Sequence, residues 1–178
     1  NVKLSLFKGF ILDNIFIEDQ QKDTLLYADQ ISVIPKGFQV NFSDMSLKEI
    51  QLKDVYFNLY EISEDTLNIQ FLLDAFSADK EKESNGSFKI NTENIVLENS
   101  CIAYKTIDTA QVNGINFHDL FLDSLFLNIQ DFQFTDDISG TINLISFNEK
   151  SGFQLKNVSA ESLLINPKEM NFTDLEIV

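Results

Sequence analysis

In the segment Ile50-Gln51-Leu52-Lys53-Asp54-Val55-Tyr56-Phe57-Asn58-Leu59, the pairs Ile50/Leu52 and Phe57/Leu59 are separated by an odd step. Side chains on a regular β-strand alternate faces with period two. The two pairs therefore cannot share a face unless the strand is interrupted between them. The same spacing, apolar at positions 0 and 2, small or polar at 4, apolar at 7 and 9, returns twice. It fits Ile95-Leu97-Asn99-Ile102-Tyr104 and Leu120-Leu122-Ser124-Leu127-Ile129. Val158-Ala160-Ser162-Ile165 is a weaker copy, ending at Pro167, and partial copies open at Ile15-Ile17-Asp19 and Leu175-Ile177. An apolar residue stands three places before most copies: Leu12, Leu47, Phe117, Leu155 and Phe172. The starts are 35, 45, 25, 38 and 17 residues apart, which excludes a solenoid of fixed repeat length. What remains is a strand module joined by loops of variable length.

Two arrangements satisfy the odd step. Either a bulge sits near the polar residue, or the buried face changes half-way along. A bulge adds one unpaired residue and increases local bend and twist. The sequence predicts such an irregularity around Asp54, Asn99, Ser124 and Ser162, and hence a curved sheet. Alternation elsewhere, at Leu4–Leu6, Ile15–Ile17, Leu25–Val33, Phe38–Phe42 and Ile142–Leu144, adds further half-buried strands. Asn85-Gly86 and Asn113-Gly114 are strong turn dipeptides. Lys36-Gly37, Ser139-Gly140 and Ser151-Gly152 are weaker ones, Pro35 belongs in a turn, and Pro167 falls between two strand-like segments. Ile69, Leu72, Leu73 and Phe76 follow helical spacing, with Asp65 and Thr66 as N-cap candidates. They predict a short helix over 67–77, followed by a flexible charged loop over 78–87. The fold class is thus mostly β: a curved antiparallel sheet of irregular repeats forming an open groove, with one short helix. Residues 1–178 make a single segment of a longer chain.

Composition narrows the function. There are 13 Lys and no Arg against 28 Asp+Glu, a net charge of −15. No basic residue lies between Lys105 and Lys150. A nucleic-acid backbone or an anionic headgroup surface calls for the opposite sign. The single cysteine, Cys101, allows no internal disulfide and reads as a buried inert thiol. His118 is the only histidine, beside Asp119, and reads as solvated. One His and one Cys fall short of a zinc site. Asp136-Asp137 reads as a charged hairpin end, since no loop around it has calcium-binding spacing. With Gly at 6 in 178, no phosphate-cradling motif occurs. The chain offers no catalytic set, so no enzyme, no cofactor, no metal and no catalytic residue is assigned. No apolar run is long enough to span a bilayer. What it has in quantity is apolar strand surface, including 17 Phe. In an open sheet these side chains line a groove for an apolar ligand; in a closed β-sandwich, an extracellular protein- or glycan-binding module, they fill a core.

Ile17-Glu18-Asp19-Gln20-Gln21-Lys22-Asp23-Thr24-Leu25-Leu26-Tyr27-Ala28, followed by Ile31 and Val33, closely resembles the early periplasmic region of TamB-like proteins of the Bacteroidota type, in the AsmA superfamily. Leu47 to Phe57, Leu67 to Phe76, Gly140 to Ala160 and Met170 to Val178 are similar to later stretches of that family, so the likeness spans nearly the whole chain. The resemblance implies a periplasmic, inner-membrane-anchored protein, its anchor outside this chain. It implies a sheet rolled into a hydrophobic groove, translocation and assembly functions in outer-membrane biogenesis, and phospholipid transport. Phospholipid acyl chains and an outer-membrane barrel assembly protein would be its partners. The acidity then has a use: carboxylates at Glu18-Asp19, Glu64-Asp65, Asp79 to Glu83 and Asp136-Asp137 form a wet shell that keeps open apolar grooves from associating.

Overall fold

A computed structural model describes residues 2–5 (backbone only), 9–37, 44–64, 66–72, 74, 89–108, 112–135, 137–166 and 168–178. The chain is mostly β, in one long open sheet that does not close into a barrel. Its strands are β1 (Val2–Ser5), β2 (Gly9–Glu18), β3 (Thr24–Pro35), β4 (Asp44–Ser63), β5 (Thr66–Leu67), β6 (Lys89–Lys105), β7 (Asp119–Phe134), β8 (Ile138–Glu149), β9 (Gln154–Ile165), β10 (Met170–Thr173) and β11 (Glu176–Ile177). The order across the sheet is β1-β2-β3-β4-β6-β7-β8-β9-β10, with β5 on β4 and β11 on β9. Pairing is antiparallel throughout except between β4 and β6, which run parallel.

The repeated module explains how both pairing directions coexist. Apolar positions 0, 2, 7 and 9 read the same from either end. In parallel, β4 and β6 match copy to copy, Ile50↔Ile95 and Leu52↔Leu97. In antiparallel, β6 and β7 match end to end: Ile95↔Ile129, Leu97↔Leu127, Ile102↔Leu122 and Tyr104↔Leu120.

The predicted irregularities are present. Asp54, Asn99 and Ser124 adopt left-handed φ of 49°, 47° and 51°. At Ser162 the β8–β9 register slips, with Glu161-Ser162 opposite Thr141 alone. Asn14 joins the first three at φ 55°. Their alignment forms a crease across five strands, since Asn14 and Asp29 are both passed over by the β2–β3 ladder, and Asp29 and Asp54 by the β3–β4 ladder. The residues after Asp54, Asn99 and Ser124 turn inward: Val55, Ser100 and Leu125 are buried, as is Ala28, the partner of Val55. Ser100 fits there because its hydroxyl is used twice, donating to Glu98 O at 2.9 Å and accepting from Val55 N at 3.1 Å. A left-handed conformation costs a residue with a Cβ roughly 1–2 kcal/mol. Ser124→Gly is therefore expected to raise stability by up to about 1 kcal/mol, and Ser124→Val to lower it by about 1–2. Urea midpoints for the two variants check this; equal midpoints would remove the crease from the energetics.

Two local expectations change. Thr66 does not cap a helix: Thr66–Leu67 pair with β4 at Ser63 and Glu61, and helical backbone begins at residue 70. The exposed edge of β4 beyond β3 captures this segment first. Residues 70–72 and 74 are helical, while the remainder of 67–77 from 75 on, loop 78–87, Asn85-Gly86, Phe38–Phe42 and Pro167 lie outside the described residues. Ser139-Gly140 is no turn but lies inside β8. Ser151-Gly152 does turn the chain, between β8 and β9, with Gly152 at φ 94°.

Candidate functional site: the apolar face

Paired residues point to the same side of a sheet, so register assigns the faces. Each crease advances the alternation by one and keeps the apolar residues on one side. One row runs Leu12–Ile31–Leu52–Leu97–Leu127–Ile145–Val158–Ile177 across eight strands. Beside it lies Phe10–Val33–Ile50–Ile95–Ile129–Ile142–Ala160. On the other side of the crease, Ile17–Leu26–Phe57–Ile102–Leu122 continue the face. The opposite face carries polar ladders. Asn143 donates to Asn128 at 2.6 Å, Asn128 to Asn94 at 2.8 Å, and Asn94 to Glu49 at 3.4 Å.

The sheet bends toward its apolar side. No second layer of sheet covers it among the described residues, yet side chains beside the bends are buried. Convergence of neighbours on the inside of a bend accounts for this in one layer. Small residues sit where the crowding is greatest: Ala28, Ser100, Thr92 and Ala160 are at 3% exposure or less. A compact cluster of Ile142, Ala160 and Leu163, packed against Ile145 and Ile165, marks a second bend. Away from the bends the face is half-covered, and at the β10–β11 edge Met170, Phe172 and Ile177 are exposed. The face is thus an open trough with an apolar floor.

One end of the sheet is fastened by a polar cluster that no motif announced. Asp19 begins the β2–β3 turn, and its Oδ1 accepts from Gln21 N at 2.9 Å and Asp23 N at 3.0 Å. Its Oδ2 accepts from the Tyr60 hydroxyl at 2.6 Å and Asn68 Nδ2 at 3.1 Å. Asn68, 1% exposed, also donates Nδ2 to Asn58 O at 3.0 Å and accepts from Tyr60 N at 3.1 Å. Burial works to raise the Asp19 pKa, but these donors outweigh it and hold the carboxyl below its usual value. Burial and the neighbouring Asp19 carboxylate push the Tyr60 phenol far above its own. Asp19 is therefore no part of a solvated shell, and neither is Glu149, 3% exposed in the β8–β9 turn. Glu149 takes the same place in its turn: Glu149 N donates to Phe153 O at 2.8 Å, as Asp19 N does to Asp23 O at 2.9 Å. Asp137 is exposed at a hairpin end, and Asp136 lies outside the described residues.

The residues weighed for chemistry stay apart. Cys101 is half-buried and pairs with Tyr56 in mid-strand. His118 is exposed before β7, its Nδ1 3.1 Å from the Thr106 hydroxyl. Among the described residues no three His, Cys, Asp or Glu side chains converge on a point that would hold a metal ion. No described helix is long and apolar enough to cross a membrane. No family model matches the chain, and no curated protein matches it.

Proposed function

We propose that this chain is a groove segment of a TamB-like, AsmA-type envelope protein, anchored in the inner membrane and reaching through the periplasm, where it carries phospholipid toward the outer membrane and its barrel assembly partner. Acyl chains lie along the trough while headgroups stay in water. One observation carries this reading: the apolar rows run unbroken across the sheet from Leu12 to Ile177, and creases keep them on one face of an open layer. A sheet that merely filled its own core would cover that face with a second layer. Apolar area left open on this scale calls for an apolar occupant. Dispersion and the hydrophobic effect hold such an occupant without fixing its position, which suits passage along a trough. No bond changes, so no catalytic residue takes part.

The protein purified from cells should carry phospholipid, and it should take up a fluorescent phospholipid from vesicles. Leu97→Glu, paired with Leu52 and Leu127 at mid-trough, should lower bound lipid about tenfold with strand content intact by circular dichroism. A charge on that floor costs on the order of 1.4 kcal/mol of binding. Lipid-free protein that takes up none would end the proposal.

A further inference from the structure

The outer face mixes polar ladders with half-buried apolar residues such as Ile11, Val96, Phe126 and Leu144, and beside the crease it carries one row of aromatic rings. Phe16, Tyr27 and Tyr56 are side by side on β2, β3 and β4, by the pairs Phe16↔Tyr27 and Tyr27↔Tyr56. Phe16 is 56% exposed and Tyr27 37%, with Tyr56 half-exposed. On the convex side of a bend neighbouring side chains spread apart, which leaves these rings open. The row spans two strand spacings, roughly 10 Å. Exposed carboxylates flank it: Glu18 on one side, Asp29 and Asp54 at the crease on the other. The neighbouring lysines Lys22 and Lys53 are already held, by Glu18 at 3.9 Å and Glu98 at 3.4 Å.

We propose that Phe16, Tyr27 and Tyr56, with Asp29 and Asp54, form a docking site for an extended, arginine-bearing segment of a partner protein. A guanidinium is planar, stacks on aromatic faces and pairs with carboxylates at the same time. A net charge of −15 steers a cationic segment inward and an anionic one away. Residues 1–178 contain no Arg, so a second copy of this segment does not supply the group. The site is on the face opposite the trough and does not depend on lipid being its occupant.

The test uses a fluorescein-labelled decapeptide of alternating Arg and Ser, read by anisotropy. A Lys/Ser peptide, a Glu/Ser peptide and the neutral glycan cellohexaose serve as comparisons. Any acidic protein attracts a cationic peptide, so the decisive measurement is on ring variants that keep the charge. Phe16→Ala with Tyr27→Ala should weaken Arg/Ser binding at least fivefold, Tyr27→Phe less than twofold, and Asp29→Asn with Asp54→Asn should flatten the salt dependence. The Arg/Ser peptide should bind more tightly than the Lys/Ser one. Thermal midpoints within a few degrees of wild type verify that the exposed substitutions leave the fold in place. Unchanged binding in the double ring variant, equal affinity for Lys and Arg peptides, or preference for cellohexaose would overturn the proposal.

Discussion

Asn68→Ala is expected to destabilise the protein by about 2–4 kcal/mol, although its side chain hydrogen-bonds to no residue of the apolar rows. The truncation removes three side-chain hydrogen bonds, to Asp19, Asn58 and Tyr60. It leaves the Tyr60 N–H without its side-chain acceptor, takes the side-chain donor from Asn58 O, and removes one of the two donors on Asp19 Oδ2, which keeps the Tyr60 hydroxyl. Orphaning buried polar groups costs about 1–3 kcal/mol each, partly relieved where water can enter. For a chain of this length the thermal midpoint should fall by roughly 5–15 °C. Tyr60→Phe removes only the hydroxyl, which bonds Asp19 and, at 3.3 Å, Asp23, and should cost about 1–2 kcal/mol. If Asn68→Ala and Tyr60→Phe prove equally mild, the cluster does not fasten the hairpin to β4.

The same cluster sets a pH dependence whose sign follows from Asp19. Its native pKa lies below the unfolded one, because the donors from Tyr60, Asn68, Asp23 and Gln21 outweigh burial. The unfolded chain therefore binds the proton more tightly. The stabilisation is complete above the ordinary carboxylate range and is lost as pH falls below about 4 toward the native value. Glu149, held below its usual value chiefly by hydrogen bonds from Ser151 against burial, adds in the same direction. Urea midpoints should drop between pH 5 and pH 3, and by less in Asp19→Asn. A midpoint that rises on acidification would contradict the assignment.

The crease was legible because it violates parity. A step of seven cannot stay on one face of a regular strand, so Asp54, Asn99 and Ser124 are exposed by arithmetic alone. The preceding apolar residue carries the same information in its step of three. From Leu12 to Ile15 the chain passes Asn14 at φ 55°, and from Phe172 to Leu175 it passes Asp174 at φ 49°. From Leu47 to Ile50 the parallel ladder passes over Lys48 and Glu93, and from Leu155 to Val158 the β8–β9 register slips. Each of these four odd steps coincides with an irregularity of backbone or pairing. The Asp19–Tyr60–Asn68 cluster was not legible, since its members are 41 and 8 residues apart and each is an ordinary turn or strand residue alone. The parallel β4–β6 pair was hidden for a related reason. A palindromic module pairs equally well in either direction, so its pattern does not choose between them.

Gly140 shows how a turn signal can encode a close approach instead, and its substitution should have the second large effect. Across the β7–β8 ladder, Asp131-Phe132 stand opposite Gly140 alone, with Asp131 at φ 50°. The bulged backbone of β7 leans into the space a side chain would fill. A Cβ on Gly140 would lie 2.9 Å from Ile129 Cγ2, 3.1 Å from Gln130 O and 3.4 Å from Phe132 Cα. The methyl of Ile129 can turn aside, but the backbone of the bulge cannot. Gly140→Ala should cost about 1–2 kcal/mol and Gly140→Val about 2–4, as overpacking against fixed atoms does. Ser139→Ala, one residue away, should be near neutral. Because Gly140 pairs with Leu163 on the apolar face, separating β7 from β8 here should also disturb the Ile142–Ala160–Leu163 cluster. Phospholipid uptake by a folded Gly140→Ala variant should then fall along with its stability. A valine variant as stable as wild type would mean that β7 relaxes away from Gly140, and that the second bend is compliant where the packing makes it rigid.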